Sequence, residues 1–295
     1  MKLLITGFNG FVAGSVIAHA KGNWEIHGIG RSENPLNVPG IYYHNLDLLD
    51  EQGFTSLFNE IRPDAVIHAA AMANIDICQV NQEMAERVNV GVTKMIARLC
   101  SEHGVKMVFC STDTVFDGVK GDYVETDIPY PLNYYAETKV KGEQHVLSAS
   151  PKNVVARLAL VMGLPVIGKG NSFLADMIGK LSKGIEIPFP ANETRTPVDV
   201  ITLGSSLVEL AENQFGGIIH LSGNTKINRY QMGLEIATIL GYPANLIVSI
   251  DSNSMVGRAP RANDASMDNS LAKKVIKTPM RTLAEGLNLT LNFKF

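Results

Sequence analysis

A tyrosine and a lysine four residues apart are the pair with the clearest chemical potential in this sequence. Tyr135 and Lys139 lie in a predicted helix, where residues with this spacing project from one face. A phenol with a pKa near about 10 is a poor acid at neutral pH until a nearby cation stabilises the phenolate. Lys139 supplies that cation, so Tyr135 could protonate a carbonyl oxygen while hydride arrives at the carbon. The alternative is an amphipathic surface pair.

Three polar residues end the predicted strand that precedes this helix. They are Ser111, Thr112 and Asp113. Ligands of open parallel sheets collect at the carboxyl ends of strands, so these side chains should share a cleft with Tyr135. Their hydroxyls could donate to a carbonyl oxygen that gains charge. The alternative is that they cap the following turn.

Two glycines form a turn directly after the first predicted strand. Gly7 permits a tight turn, Gly10 lets the backbone approach a pyrophosphate, and the small Ala13 lets the next helix pack closely. The helix N-terminus offers unpaired N–H groups and the positive end of its dipole to phosphates. The turn therefore predicts a dinucleotide site, and a glycine turn without a ligand is the alternative.

The end of the second predicted strand bears on which dinucleotide is used. An acidic residue there would accept hydrogen bonds from a ribose 2′-hydroxyl, whereas an arginine would pair with a 2′-phosphate. The run Gly28–Ser32 holds Arg31 and Ser32 and no carboxylate. This favours NADP, with NAD as the second choice. The alternative for Arg31 is a solvated loop side chain.

Short apolar runs alternate with helical patterns over the first part of the chain. Apolar runs without polar alternation are typical of strands buried on both faces. Strands that alternate with helices predict an α/β fold with a doubly wound parallel sheet of the Rossmann type. The predicted strands are Leu3–Ile5, Trp24–Ile29, Ala65–Ile67, Met107–Phe109 and Asn153–Leu158, and the predicted helices are Phe11–Ala20, Gln52–Ile61, Gln82–His103 and Pro131–Leu147.

The regular alternation fades after Val161, where prolines and glycines break the chain into short pieces. A predicted helix at Val198–Asn213 and a strand at Ile218–Leu221 look like one further unit of the large sheet. We predict a dinucleotide-binding domain over residues 1–160 and about 197–222. Residues 161–196 and 223–295 should form a smaller α/β substrate lobe, which includes Asn228–Leu240 and a C-terminal helix near Leu283–Leu291.

Composition and charge exclude several classes of function. The 295 residues carry a net charge of -3, so there is no basic stripe for nucleic acid. No apolar stretch approaches the ~20 residues that span a bilayer, and the first residues are too short an apolar run for a signal peptide. Three cysteines without a C-x-x-C pair fit the cytoplasm. The seven histidines show no metal-ligand spacing, so we expect no metal.

Together these motifs resemble the dTDP-4-dehydrorhamnose reductase branch of the extended short-chain dehydrogenase/reductases. The most specific strings are Ser-Thr-Asp-x-Val-Phe at 111–116 and Pro-Leu-Asn-x-Tyr at 131–135. The resemblance implies that NADPH reduces the 4-keto group of a nucleotide-linked deoxysugar and that a homodimer can form. It also implies a catalytic set of Thr112, Tyr135 and Lys139.

The motifs and the resemblance also assign residues to the two ligands. The cofactor set is Gly7, Phe8, Asn9, Gly10, Phe11, Val12, Arg31, Ser32, Asp47, Leu48, Ala69, Ala70, Ala71, Asn89, Tyr135 and Lys139. The substrate set is Asp113, Arg195, Arg258 and Arg261, and Arg157 occupies a place where the family handles substrate or nucleotide. Arg258 and Arg261 could grip a diphosphate, with surface solvation as the alternative.

Two departures from the family pattern put the sugar in doubt. The stretch from Arg157 to Gly163 lacks the family's aromatic pair and resembles the wider sugar-nucleotide epimerase group, and Ala259 interrupts an Arg-Pro dipeptide. An epimerase or dehydratase that recycles its cofactor is therefore a second hypothesis. A third is a non-catalytic NADP-binding regulatory subunit of this fold, as in the methionine adenosyltransferase partner, although the intact Thr112, Tyr135 and Lys139 speak against it.

Overall fold

The computed structural model describes residues 1–32, 40–167, 170–252, 255 and 257–295. Its strands, in chain order, are β1 (Lys2–Thr6), β2 (Glu25–Gly30), β3 (Ile41–Asn45), β4 (Ala65–His68), β5 (Lys106–Thr112), β6 (Val154–Leu158), β7 (Val161–Met162), β8 (Ile187–Pro190), β9 (Thr194–Arg195), β10 (Val198–Asp199), β11 (Gly217–Leu221), β12 (Ile227–Asn228) and β13 (Ile247–Ile250).

The helices are short to medium in length. In chain order they are α1 (Phe11–Ala20), α2 (Glu51–Ile61), α3 (Ile75–Val80), α4 (Gln82–Ala85), α5 (Val92–Glu102), α6 (Tyr134–Ala149), α7 (Phe173–Leu181), α8 (Val200–Glu212), α9 (Arg229–Ile239), α10 (Ala272–Val275) and α11 (Leu283–Asn292). A π-helix, Glu86–Gly91, joins α4 to α5, and short 3₁₀ turns cover Asp113–Val115 and Ala244–Leu246.

Within the described ranges the centre of the molecule is a seven-stranded sheet in the order β11-β6-β5-β4-β1-β2-β3. Every pairing in it is parallel. The strand order reverses between β1 and β4, and ligands of such sheets bind outside the carboxyl ends of the strands at this point. The predicted doubly wound fold is therefore confirmed.

Alternate side chains of β1 serve two different cores. Leu3 and Ile5 face α1 and α8, whereas Leu4 belongs to the cluster that contains Phe54 of α2 and Phe109 of β5. All five are inaccessible to solvent. This double burial explains why β1 reads as an unbroken apolar run.

A third apolar cluster lies after β6, among helices and two-stranded sheets. Met162, Leu174, Phe189, Ile236 and Leu287 are among its buried members. Strand β11 pairs with β6 and α8 packs against α1, so residues 200–221 return to the large sheet. The division into two domains with boundaries near residues 160, 197 and 222 remains a prediction.

Two details differ from the predicted elements. The helix expected over Gln82–His103 is interrupted by the π-helix, whose extra residue no side-chain pattern revealed. Strand β3 was not predicted, because its Tyr-Tyr-His run lies at the sheet edge and is only half-buried. Among the described residues, no helix is both long and apolar enough to cross a membrane.

Candidate functional site

The glycine turn is built so that no side chain fits at its first position. Gly7 has φ +73°, and a Cβ placed on it would lie 2.9 Å from the backbone nitrogen of Ala70. Gly10 donates its N–H to the Gly7 carbonyl at 2.7 Å, which closes the turn directly before α1. The turn thus lies against the end of β4, with the N-terminus of α1 behind it.

A cleft of about 590 Å³ opens at this turn. It brings together most of the predicted cofactor set, from the turn, from the ends of β2 and β4, and from the segment after β3. Sequence reasoning missed several of its apolar walls, which carry no motif of their own. The lining residues are Gly7, Asn9, Gly10, Ile29, Gly30, Arg31, Ser32, Leu46, Asp47, Leu48, Leu49, Ala69, Ala70, Ala71, Val88 and Val92.

The remaining predicted cofactor residues lie elsewhere. Phe8 is buried against Gly28 and packs beside Tyr43, so it supports the floor of the turn. Phe11 and Val12 line a neighbouring cavity. Asn9 donates to the Ser32 hydroxyl, which ties the turn to the end of β2 and places Arg31 at the rim.

A second cavity, of about 580 Å³, adjoins the cofactor cleft and shares Ala69 and Ala71 with it. It is lined by Thr112, Tyr135 and Lys139, so the three predicted catalytic residues meet in one space. Because the cavity and the cleft share these two alanines, which follow β4, a nicotinamide could reach from one into the other.

Burial controls the protonation of the tyrosine–lysine pair. It lowers the pKa of Lys139 to about 8, although Cys110 and Glu143 act in the opposite direction. The Lys139 ammonium lies 4.0 Å from the centre of the Phe109 ring, a cation–π contact in place of water. Burial also raises the pKa of Tyr135 above its ordinary value, and the Asp113 carboxylate adds to the rise. Tyr135 is therefore held in its proton-bearing form.

Asp113 lies beside the catalytic set with an unusual charge environment. Its Oδ1 accepts a hydrogen bond from the Thr112 hydroxyl at 3.2 Å, and its Oδ2 lies 3.7 Å from Nε of Arg195. Burial raises the pKa of Asp113 and the Arg195 charge opposes that rise. Asp113 lines the catalytic cavity, whereas Arg195 does not. The Arg195 guanidinium is held beside Asp113 by the hydrogen bonds that it donates to the carbonyls of Thr194 and Ala262.

Asn89 faces away from the cofactor cleft. Its side chain, in the π-helix, binds both the N–H and the carbonyl of Met72 and donates to Thr138 at 3.0 Å. Because Thr138 is in α6, these bonds brace the active-site helix. Asn89 thus supports the active-site helix, and it is not among the residues that line the cofactor cleft.

The predicted substrate arginines are largely committed to ion pairs. Arg258 contacts Glu193 at 2.5 Å and Arg261 contacts Asp76 at 2.9 Å. Arg157 is 1 % exposed and paired with Glu143 at 2.8 Å, beneath α6, so its expected role with substrate or nucleotide is wrong. An isolated sequence motif could not reveal these partners.

A further arginine was missed because it belongs to no motif. Arg229, at the start of α9, lies over the rings of Phe173 and Phe189 at 5.8 and 5.7 Å, and its buried Nε has no hydrogen-bond partner in the described part of the chain. It lines a cavity of about 290 Å³ together with Lys180 and Arg258.

Metal and thiol chemistry gain no support from the side-chain arrangement. No group of three or more His, Cys, Asp or Glu side chains is placed to hold a metal ion in the ranges that the structure describes. The three cysteines are free and buried, and burial raises the pKa of Cys110 to about 12. A thiol of this kind behaves as a small apolar side chain.

Among known proteins, the similar sequences include a subunit of a methionine adenosyltransferase and a probable reductase. Methionine adenosyltransferase 2 subunit beta of Xenopus laevis is 29% identical over 289 residues, which are 95% of this chain and 85% of that protein. The probable low-salt glycan biosynthesis reductase Agl14 of Haloferax volcanii is 28% identical, over 97% of this chain and 96% of its own.

Solved structures with the same fold include dTDP-4-dehydrorhamnose reductases. A hypothetical dTDP-4-dehydrorhamnose reductase from Sulfolobus tokodaii has a TM-score of 0.84 and 29% identity, and the match covers 97% of this chain and 99% of that one. The dTDP-4-dehydrorhamnose reductase of Bacillus anthracis, in complex with NADP, has a TM-score of 0.84 at 24% identity and 99% coverage of both chains. The resemblance to extended short-chain dehydrogenase/reductases is confirmed. The profile of the RmlD substrate binding domain matches residues 1–294, and the chain belongs to that family.

Proposed function

We propose that this protein is a reductase that uses NADPH to reduce the 4-keto group of a nucleotide-linked deoxysugar. The observation that carries the proposal is the meeting of Thr112, Tyr135 and Lys139 in one cavity that adjoins the glycine-turn cleft and shares Ala69 and Ala71 with it. The cleft suits a dinucleotide because Gly7, where no Cβ fits, lets the tight turn lie directly against the end of β4, and a turn of this kind lets the backbone approach a pyrophosphate.

The chain's own residues would manage the proton while the hydride moves. Bound NADPH would supply the hydride. Tyr135 would give its phenolic proton to the sugar oxygen. The Thr112 hydroxyl, whose single proton is directed at Asp113 Oδ1 in this structure, would turn to donate it to the same oxygen as charge develops there. The Lys139 ammonium would stabilise the phenolate that remains. Buried walls around these groups strengthen each of these interactions.

The choice of NADP rests on the rim of the cleft. Arg31 and Ser32 lie at the end of β2, where a 2′-phosphate would project, and both line the cleft. An arginine can bind a phosphate through two hydrogen bonds. The Bacillus anthracis relative, solved with NADP, supports this choice by analogy.

The nucleotide part of the substrate would extend from the catalytic cavity to Arg229. The cavity that holds Arg229, Arg258 and Lys180 shares Phe173 and Asp176 with the catalytic cavity. Glu193 pairs with Arg258, and Asp176 pairs with Lys180 at 2.7 Å, so among the described residues of this cavity Arg229 supplies most of the free positive charge for a diphosphate. This assigns to Arg229 the role that the sequence suggested for Arg258 and Arg261.

The experiment is to mix the protein with NADPH and dTDP-4-keto-6-deoxy sugar and to follow the nicotinamide absorbance and the products. Stoichiometric oxidation of NADPH with a 4-hydroxy sugar product supports the proposal. Conversion of a sugar without net cofactor use indicates the epimerase or dehydratase hypothesis instead. No conversion of a panel of dTDP-, UDP- and GDP-linked keto sugars overturns it.

A regulatory subunit is the second candidate, because methionine adenosyltransferase 2 subunit beta is similar over 95% of this chain. The same protein would then bind NADP without turnover and associate with a methionine adenosyltransferase. Co-elution of the two proteins in size-exclusion chromatography, together with unchanged function of Tyr135→Phe, would favour this candidate.

A further inference from the structure

A buried histidine lies between the glycine turn and the active-site helix, outside the catalytic set. His68 ends β4 and is 1 % exposed. Its Nδ1 lies 2.6 Å from the Thr6 hydroxyl and its Nε2 lies 3.0 Å from the Thr93 hydroxyl. The ring of Phe109 stacks on it at 5.6 Å. Both ring nitrogens therefore have partners, and neither partner is solvent.

The partners determine which ring nitrogen carries the proton. The Thr93 hydroxyl gives its single proton to the Asn89 carbonyl at 2.6 Å, so toward His68 it can only accept. Nε2 must then be the protonated nitrogen, and Nδ1 accepts from the Thr6 hydroxyl. Thr6 in turn accepts the N–H of Ala70 at 3.2 Å. Each hydroxyl in the series has one donor and one acceptor role.

The charge state of the ring agrees with this arrangement. Burial lowers the pKa of His68 to about 3, and the nearby Lys139 ammonium acts in the same direction. A neutral imidazole is the form that can donate through one nitrogen and accept through the other.

The hydrogen bonds continue beyond Thr93 to the catalytic helix. Asn89, whose carbonyl Thr93 binds, donates from its side chain to Thr138 at 3.0 Å. The Thr138 hydroxyl donates to the backbone carbonyl of Tyr135 at 2.7 Å. The series Thr6, His68, Thr93, Asn89 and Thr138 is therefore continuous from the cofactor turn to Tyr135, and every member is at most 2 % exposed.

We propose that His68, as its Nε2–H tautomer, is a positioning residue that joins the glycine turn to the π-helix and so fixes the catalytic helix at Tyr135. π-helices frequently occur at functional sites, and this one turns Asn89 toward α6. The effect on catalysis rests on the proposed reductase function, whereas the tautomer and its bonds do not.

The tautomer is tested without substrate by NMR of protein labelled with ¹⁵N-histidine. We expect the His68 signals of a neutral ring with the proton on Nε2, unchanged over about pH 5 to 8, where an ordinary histidine titrates. A proton on Nδ1, or titration within that range, would overturn the proposal even if no reductase activity is found.

The link to Tyr135 is tested with two variants of one residue. Thr93→Val keeps the shape of the side chain but removes the hydroxyl, and Thr93→Ser keeps the hydroxyl. Because a misplacement of about 1 Å can reduce catalysis by about 100-fold, we expect Thr93→Val to lower kcat by about 10- to 100-fold and Thr93→Ser to stay near wild type. The Kd of NADPH should change little, since Thr93 does not line the cleft.

A matched control separates positioning from general loss of stability. Ser206, fully buried in α8, donates to the carbonyl four residues earlier, as Thr93 does. Ser206→Ala should lower the Tm without lowering kcat. Equal kcat for Thr93→Val and Thr93→Ser would overturn the link. A readout independent of turnover is the Asn89 side-chain amide, which should exchange with solvent faster in Thr93→Val than in Thr93→Ser; equal rates would likewise overturn it.

Discussion

At the scale of single residues, the chemistry depends on what burial does to two ordinary side chains. Tyr135 and Lys139 both line a cavity whose walls include the end of strand β5, helix α6 and the alanines that follow β4. The same burial that raises the pKa of Tyr135 lowers that of Lys139. The two shifts keep the proton on Tyr135 and leave the charge on Lys139 sensitive to pH.

The first prediction concerns the phenol. Tyr135→Phe should lower kcat by about 100- to 10,000-fold, because the proton donor is lost. The Kd of NADPH should stay close to wild type. The control is Tyr134→Phe, since the neighbouring hydroxyl contacts Glu86 rather than the cavity. Steady-state kinetics of the three proteins would measure this, and equal losses in both variants would contradict the assignment.

A second prediction concerns the pH profile. The Lys139 pKa of about 8 means that the ammonium is lost as the pH rises through that value. Since only the charged form stabilises a phenolate, kcat should decrease above pH about 8. Lys139→Met should abolish that step and be slow at every pH. A wild-type profile that stays flat to about pH 10, where an ordinary lysine titrates, would contradict this role.

At the scale of elements, the glycine turn depends on a close approach that only glycine allows. Gly7→Ala should cost about 1–2 kcal/mol for the positive φ and should further displace the turn from Ala70. Gly22→Ala is the matched control, because Gly22 has φ +90° and open space around it. Both variants should lower the Tm, but only Gly7→Ala should lose NADPH binding in calorimetry. Retained binding in Gly7→Ala would argue against a dinucleotide at the turn.

The buried ion pair between Glu143 of α6 and Arg157 of β6 gives a further prediction. Arg157→Met leaves Glu143 buried without its partner, which should cost about 3–5 kcal/mol of unfolding free energy. Lys141→Met, on the same helix, removes a partly exposed pair with Glu86 and should cost about 1 kcal/mol or less. Urea denaturation would measure the unfolding free energy of both variants. Similar losses would show that the buried pair does not stabilise the catalytic helix more than the exposed pair does.

The elements also show what sequence reasoning can and cannot reach. Tyr135 and Lys139 were found because their spacing is local to one helix, and the glycine turn because it follows a strand directly. Arg258 and Arg261 read as free cations because their partners, Glu193 and Asp76, are distant in sequence. Arg229 belongs to no local pattern, since only the fold brings it between two aromatic rings.

At the scale of the whole molecule, the catalytic cavity adjoins the cavity that holds Arg229, in the part of the chain after β6. The two cavities share Phe173 and Asp176. Arg229→Met should raise the KM for a nucleotide sugar by about 10-fold or more, because a charged hydrogen bond to phosphate contributes about 1.5–3 kcal/mol. The Kd of NADPH should not change. Arg98→Met, at an exposed arginine paired with Glu102, is the control. Equal KM values in the two variants would show that the diphosphate does not bind at Arg229.

The homodimer remains a prediction.

The pairing of β11 with β6 has a consequence for how the protein is made. One edge strand of the large sheet, β11, comes from residues 217–221, and α8, which covers α1, comes just before it. When a nascent chain has emerged from the ribosome only to the end of β6, strand β11 and helix α8 are still missing. The free hydrogen-bonding edge of β6 and the apolar side of α1 are then exposed. Such edges invite aggregation. The N-terminal part therefore cannot complete its fold during synthesis until more than fifty further residues have emerged, and a fragment cut at residue 160 should precipitate rather than bind a nucleotide.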